Sequence, residues 1–325
     1  MKRMGLYRIA RMLTAGMLLF FAGCTPVAAP PAQAPEAVAP TASVTTEQET
    51  AVASQDGMTD GYDLSFSDKH RNTQVDEATA TTIELTGDGA QIEGEGAVYV
   101  EGGLRISSPG DYILSGNLEE GRIVVGVDVN QPVHLVLDGV NVHCSTSAPL
   151  NIANGEAIIT LADGSTNTFT DGTPYVYPEP SVKEPNACLF ADDDLCINGN
   201  GTLIVQSSYN NGIGSKDNLR IVSGNIQIKA INNALKGNDS VIIGGGTISI
   251  ECEDDGIKSD NETEAGKGYV AILGGKVDVV AGDDTIQATK AVFLTDATVT
   301  VRAGGKDVNC SGQVQIAAGS LFSQQ

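Results

Sequence analysis

The chain has 325 residues, 41 acidic against 19 basic side chains, a formal net charge of −22, 41% hydrophobic residues and no tryptophan. Such acidity excludes nucleic acid as a natural partner and leaves two readings of the acids, a merely soluble surface or clustered carboxylates that hold cations.

The first residues place Lys2, Arg3, Arg8 and Arg11 ahead of an apolar run from Met12 to Phe21, the layout of an export signal. The run is short for a membrane span and stops at Phe21-Ala22-Gly23-Cys24, where a bacterial lipoprotein would be cut and lipidated on Cys24. An ordinary secretory signal with a chance cysteine is the alternative; both readings put the protein outside the cytoplasm, and the first anchors it to a membrane as a lipoprotein at the cell surface or in the periplasm. Residues 1–23 are therefore expected to be signal. All four early basic residues and none of the 41 acids precede Cys24, so the remainder carries a formal −26. Residues 24–60, rich in Pro, Ala, Thr, Ser, Glu and Gln, lack the apolar surface needed to offset chain entropy and are expected to be a disordered, extended tether. Residues 61–82 read only as a lead-in.

From about Ile83 the chain is expected to form one all-β domain, residues 83–325. Its second half repeats itself: Ile213, Leu235, Ile257, Ile286 and Val308 form one column, and Leu219, Val241, Val270, Val292 and Val314 another. Two more run through Ile221, Ile243, Ile272, Leu294, Ile316 and through Ile226, Ile248, Val277, Val299, Leu321. The second column steps by 22, 29, 22 and 22 residues, the long step absorbing the polar insertion from Glu262 to Gly268. Within each copy apolar and polar residues alternate over short runs, with glycine between them at Gly224, Gly246, Gly275 and Gly319. Strands this short bury nothing alone, but copies stacked in register bury a continuous apolar column. A coil that returns parallel to itself is right-handed in roughly 98% of such crossovers. The expected fold is a right-handed, single-stranded parallel β-helix, a solenoid of about 22 residues per coil.

Cys144, Cys188, Cys196, Cys252 and Cys310 show no metal-ligand spacing and read as small buried hydrophobes or surface thiols. Ahead of each first-column residue sits a polar pair: Asn210-Asn211, Asn232-Asn233, Asp254-Asp255, Asp283-Asp284 and finally Gly305-Lys306. Stacked carboxylates ~4.8 Å apart repel by roughly 3 to 4 kcal/mol at an effective dielectric near 20. Calcium, whose opposed ligand oxygens lie about 4.6–5.2 Å apart, matches that spacing. Asp254, Asp255, Asp283 and Asp284 are thus the first expected calcium site. Asp193, Asp217 and Asp239, continued by Asp260 and Asn261, form a second polar column that Lys216 dilutes. The asparagine pairs read as turn residues that satisfy one another.

Five segments together carry a family resemblance: Gly110-Asp111-Tyr112-Ile113-Leu114-Ser115-Gly116, His134-Leu135-Val136-Leu137-Asp138-Gly139-Val140, Thr166-Asn167-Thr168-Phe169-Thr170-Asp171-Gly172, Pro185-Asn186-Ala187-Cys188-Leu189-Phe190 with Leu195-Cys196-Ile197-Asn198-Gly199, and Asp254-Asp255-Gly256-Ile257-Lys258. Over about Ile83 to Phe322 the chain resembles the bacterial right-handed parallel β-helix carbohydrate-binding domain, formerly a domain of unknown function. The resemblance implies a calcium-containing helix, similar in architecture to pectate lyases, that binds cellulose-like and acidic galacturonate-type polysaccharide. The chain departs from the family's Asp-rich turns at Asn210-Asn211 and Asn232-Asn233. Without tryptophan, sugar stacking would fall to Tyr175, Tyr177 or Tyr209, with Lys236 and Lys258 as charged contacts. Two rival readings remain. A calcium-dependent lyase needs an Arg or Lys base of depressed pKa, whereas acids beside Lys236 and Lys258 act the other way and Arg220 has no evident partner set. A surface stalk or adhesin with no specific glycan is the other.

Overall fold

The structure, a computed structural model, describes residues 58–59, 61–127, 131–318 and 320–324. The expected signal, Cys24 and most of the expected tether lie outside the described residues. A single coil shows how the repeat folds: Leu235–Gly237, Ser240–Ile243 and Thr247–Cys252 are successive strands, after which Ile257 returns to pair in parallel with Leu235. Repetition generates three parallel sheets. Sheet 1 runs from Gly103–Ile106 to Val308–Cys310, sheet 2 from the first half of Val133–Cys144 to Gln313–Ile316, and sheet 3 from its second half to Leu321–Gln324. Long strands such as Val133–Cys144 bend across the corner between sheets 2 and 3 and join them edge to edge. The molecule is the parallel β-helix that the 22-residue repeat predicts.

The predicted columns form the interior. Ile213, Leu235, Ile257 and Ile286 are fully buried, as are Leu219, Val241, Val270 and Val292 and the two columns beyond them up to Leu294 and Val299. Each such side chain contributes about 1.5–3 kcal/mol when withdrawn from water. In the last coil Val314 and Ile316 stay 46% and 47% exposed, because stacking covers them on one side only. The glycine column marks the corner between sheets 2 and 3. Gly224, Gly246 and Gly275 have φ of +120°, +92° and +82°, and a Cβ on Gly246 would lie 2.5 Å from the Gly224 carbonyl, so no larger residue fits. Gly319 lies outside the described residues. All five described cysteines are free thiols, four of them buried.

At the N-terminal end Thr81–Gly87 pairs in parallel with Gly110–Leu118 and antiparallel with Ala90–Glu93. Ala97–Val100 pairs antiparallel with Gly103–Ile106, and Ile92 and Tyr99 pack on the first coil's core. These turned-back strands close the open edge that a solenoid otherwise presents.

Residues 61–82, expected only as a lead-in, include an ordered strap over the outer face of sheet 2. Its Tyr62, Leu64 and Phe66 cover Ile242, Tyr269, Ala271, Ala291 and Phe293, with Tyr62 ring centroids 5.0 Å from Tyr269 and 5.4 Å from Phe293. Runs such as Tyr269-Val270-Ala271-Ile272 are apolar on both faces for this reason. Further along, Asn198 Nδ2 donates to the carbonyls of His70 and Asn72 at 2.9 Å each. The short helix Asp68–Arg71 docks on Glu156: His70 Nε2 lies 3.4 Å from Oε1, and Lys69 Nζ 2.6 Å from Oε2. Together His70 and Lys69 hold the Glu156 carboxyl below its ordinary value of 4.5 despite partial burial.

A carboxyl depressed by folding contributes stability that is complete above its ordinary pKa and is lost as pH falls through the lowered value. The strap is therefore expected to loosen as the pH falls below the ordinary Glu156 value of 4.5 and through its lowered one, seen as faster amide exchange over residues 67–72. Glu156→Gln should exchange quickly there at every pH, while the far-ultraviolet signature of the coils is unchanged. Replacing Tyr62 by alanine should cost about 1–3 kcal/mol and expose dye-binding apolar surface on sheet 2, a result checked by thermal melting and fluorescence.

Candidate functional site

The corner that leads from sheet 3 into sheet 1 carries the polar pairs, and stacking makes each pair a rung. Asn232 Nδ2 donates to Asn210 Oδ1 at 2.6 Å and Asn233 Nδ2 to Asn211 Oδ1 at 2.8 Å, so the asparagines satisfy one another as expected of turn residues. The next rung is Asp254-Asp255, which has no side-chain N–H to offer. Asn233 is buried, and its Oδ1 has no hydrogen-bond partner. The amide oxygen thus has no donor on the side of the ladder where the next rung is a pair of acceptors.

Asp254, Asp255 and Asp283 bring one carboxylate oxygen each to within 4.8 Å of one another. Asp255 is buried, Asp254 half-buried and Asp283 exposed, so the cluster opens from the interior to solvent. Asp255 accepts the Asp284 backbone N–H at 3.1 Å and the Lys258 ammonium at 2.7 Å. Burial, then the neighbouring Asp255, push the Asp254 carboxyl above its ordinary range; Lys258 opposes this, and Asp283 and Asp284 add to it. Asp284 is engaged elsewhere: it accepts the Lys306 N–H at 2.8 Å and Asn309 Nδ2 at 2.6 Å. The structure brings together three of the four first-choice aspartates and gives the fourth to the next coil.

Lys236 and Lys258 are register partners on the outer face of sheet 1. Lys236 is paired with Asp260 at 2.7 Å and Lys258 with Asp255. Arg220 lies beneath the strap, between Asp63 and Asp194 at 3.4 and 3.6 Å.

On the opposite corner, between sheets 1 and 2, Asp193, Asp217 and Asp239 line a polar cleft of about 710 Å³ with Glu156 and Asp194. Asp193 accepts the Gly155 N–H at 2.7 Å, and Asp239 accepts Asn261 Nδ2 at 2.7 Å. Asp217 is raised above its ordinary range by burial and then by Asp239, Asp194 and Asp193. Lys216, expected to dilute this column, reaches Asp192 and Glu184 instead, at 2.7 and 3.2 Å. The cation in the column is Lys267, 2.9 Å from Asp239 and 2.8 Å from Glu264. It arrives on the insertion from Glu262 to Gly268, which in the sequence only lengthens one step of the repeat.

Tyr175 and Tyr177, on the excursion that follows sheet 3, form one cluster with Tyr209 of the next coil. Tyr175 is buried, stacks on Tyr209 with centroids 4.0 Å apart, and donates to Asp171 Oδ2 at 2.6 Å. Its hydroxyl is an interior anchor and is not free to meet a sugar. Tyr177 donates to the Pro185 carbonyl at 2.9 Å, and both Tyr177 and Tyr209 keep part of their surface in solvent. Asp171, absent from the candidate residues, is the organiser: buried, it also takes the Ser207 hydroxyl at 3.0 Å and the Ser208 N–H at 2.5 Å. Burial raises its pKa, opposed by those donors. Its sole sequence signal is an acid at an inward position of a strand pattern.

Fold and corner together define a parallel β-helix whose coils carry a stacked polar ladder beside a short-stranded face. The family described as carbohydrate-binding domain-containing protein matches residues 100–321, and the chain belongs to it. A carbohydrate-binding domain-containing protein of Acetivibrio thermocellus is 46% identical over 228 residues, which is 70% of this chain and 80% of the relative. A solved structure described as the polysaccharide lyase-like protein from C. thermocellum, gadolinium derivative, aligns with a TM-score of 0.74 at 41% identity, covering 76% of this chain and 100% of the other.

Removing the organiser should be costly, because it leaves several buried donors unpaired. Asp171→Ala is expected to destabilise the chain by about 2–4 kcal/mol and to change its tyrosine fluorescence, which no tryptophan masks; melting and emission spectra check this.

Proposed function

We propose that this carbohydrate-binding chain is a non-catalytic module that holds calcium at Asp254, Asp255 and Asp283 and uses it to recognise plant-type polysaccharide, acidic galacturonan or cellulose-like, from a membrane to which Cys24 anchors it. The observation that carries the reading is the trio of carboxylates within 4.8 Å of one another, next to a buried amide oxygen with no donor. All the free donors there are oxygens, the ligand set of a hard cation, and three carboxylates leave coordination positions open for water or a glycan carboxylate. Asp284 falls outside the ligand set, and Asp193, Asp217 and Asp239 rank lower because Asp239 is already paired with Lys267 and Asp193 with the Gly155 N–H.

In this reading calcium bridges the corner to uronate carboxylates while Lys236 and Lys258 face the same chain from sheet 1, with Tyr177 and Tyr209 at one end. Binding without cleavage follows from how the cations are used. A lyase base needs a free lone pair close to the metal, and Lys236 and Lys258 are each held in an ion pair at 2.7 Å. Arg220 is screened by the strap.

Retention on immobilised polygalacturonate is expected with calcium, to fall with chelator, and to fall in Asp254→Ala and Asp283→Ala. No unsaturated product should appear in the ultraviolet. At a calcium concentration about a hundred times its Kd, melting should show roughly 2.7 kcal/mol of added stability, absent from Asp254→Ala. Chelator-insensitive retention would sink the cation bridge, rising absorbance would make the protein a lyase, and no retention on any glycan would leave a stalk.

A further inference from the structure

Behind the same corner, on its sheet 3 side, lies a second recess, a groove of about 350 Å³ that crosses three coils. Its floor is made of small side chains, Ser207, Ala230 and Cys252, the last two register partners, so the depth comes from residue size. Its rim is polar: Lys229 and Glu251 stand up as a pair 3.0 Å apart, each about two-thirds exposed. Gln206, Ser208 and Glu253 complete it. One wall is Ile231, 45% exposed. Among the described residues the other large exposed apolar side chains sit on the N-terminal cap, the last coil or the tyrosine excursion, so Ile231 is the one on the flank of a central coil. The groove is also held in shape, because the buried Asp171 fixes Ser207 and Ser208.

We infer that this groove is a cation-independent subsite for a neutral pyranose of a polysaccharide. A sugar ring has an apolar C–H face and a girdle of hydroxyls that both donate and accept. Ile231 offers the matching apolar surface, Lys229 a donor, Glu251 and Glu253 acceptors, and Gln206 and Ser208 both. The ligand is neutral because two exposed carboxylates outnumber the one ammonium, so a uronate would be repelled. The inference rests on the reading of the chain as a glycan-binding module, but not on calcium.

The test is titration calorimetry of the protein with neutral cello-, xylo- and manno-hexaose in chelator, alongside polygalacturonate retention with calcium. At least one neutral hexaose should bind in chelator. Ile231→Asp and Lys229→Glu should each weaken it about tenfold or more, whereas Thr300→Ala, on the open face of sheet 3, should not. Ile231→Asp should leave calcium-dependent retention on polygalacturonate in place, which separates the two sites. No neutral binding in chelator, or equal affinity in wild type and Ile231→Asp, overturns the subsite even if calcium-bridged retention succeeds. Loss of that retention with neutral binding intact would overturn the cation bridge and leave the groove standing.

Discussion

Everything in this protein depends on parallel stacking in register at ~4.8 Å, which places each side chain on its own counterpart one coil away. Inside, the constraint is favourable: β-branched and leucine side chains repeat in columns and exclude water continuously. At the corners it is demanding, because a polar residue meets a copy of itself. Asparagine tolerates that arrangement, being donor and acceptor at once. Aspartate does not.

Departures from the repeat lie outside the columns and shape the surface around them. The excursion after Thr166–Asp171 brings Tyr175, Tyr177 and Tyr209 together over sheet 1, fixed from the interior by Asp171. The insertion after Asn261 carries Lys267 back to Asp239 one coil earlier. The strap before the first coil makes sheet 2 a covered face, removing Arg220 from the accessible chemistry. Of the three lateral faces, sheet 1 and the corners beside it combine acids, ammonium groups and partly exposed aromatics.

The architecture was legible because a solenoid is a one-dimensional repeat: Ile213 to Val308 disclose both the coil length and the inward face. The strap was not, since residues 61–82 have no periodicity of their own, and the trace they leave is in the target strands. Ile242, Ala271 and Phe293 are apolar at positions that alternation assigns to solvent, and such a run is the signal of a covered outer face. At the corner, the sequence placed four aspartates in two adjacent coils but could not say which way each carboxylate turns. Asp284 is taken by Lys306 and Asn309, and that depends on backbone direction at a rung whose partner is no longer an acidic pair. Lys216 and Lys267 show the same limit. Adjacency in sequence suggested the first as the counterion, and an inserted loop delivered the second.

The boundary between the asparagine rungs and the aspartate rungs carries the most chemical information. Below it the side-chain amides of Asn232 and Asn233 donate to the oxygens of Asn210 and Asn211, and Asn211 Nδ2 donates to the Asn186 carbonyl. At the boundary Asn233 Oδ1 is left without a donor, Asp255 takes one ammonium from Lys258, and Asp254 and Asp283 have no equivalent cation among the described residues. One lysine against three clustered carboxylates leaves net negative charge where burial already resists it. The charge can be reduced by protonation, which the upward shift at Asp254 reflects, or balanced by a cation from solvent. A divalent ion would do this at neutral pH and would tie two coils together. It would also turn a corner that repels an acidic polysaccharide into one that attracts it, so one balance of charge would govern both the cohesion of the helix and its choice of partner.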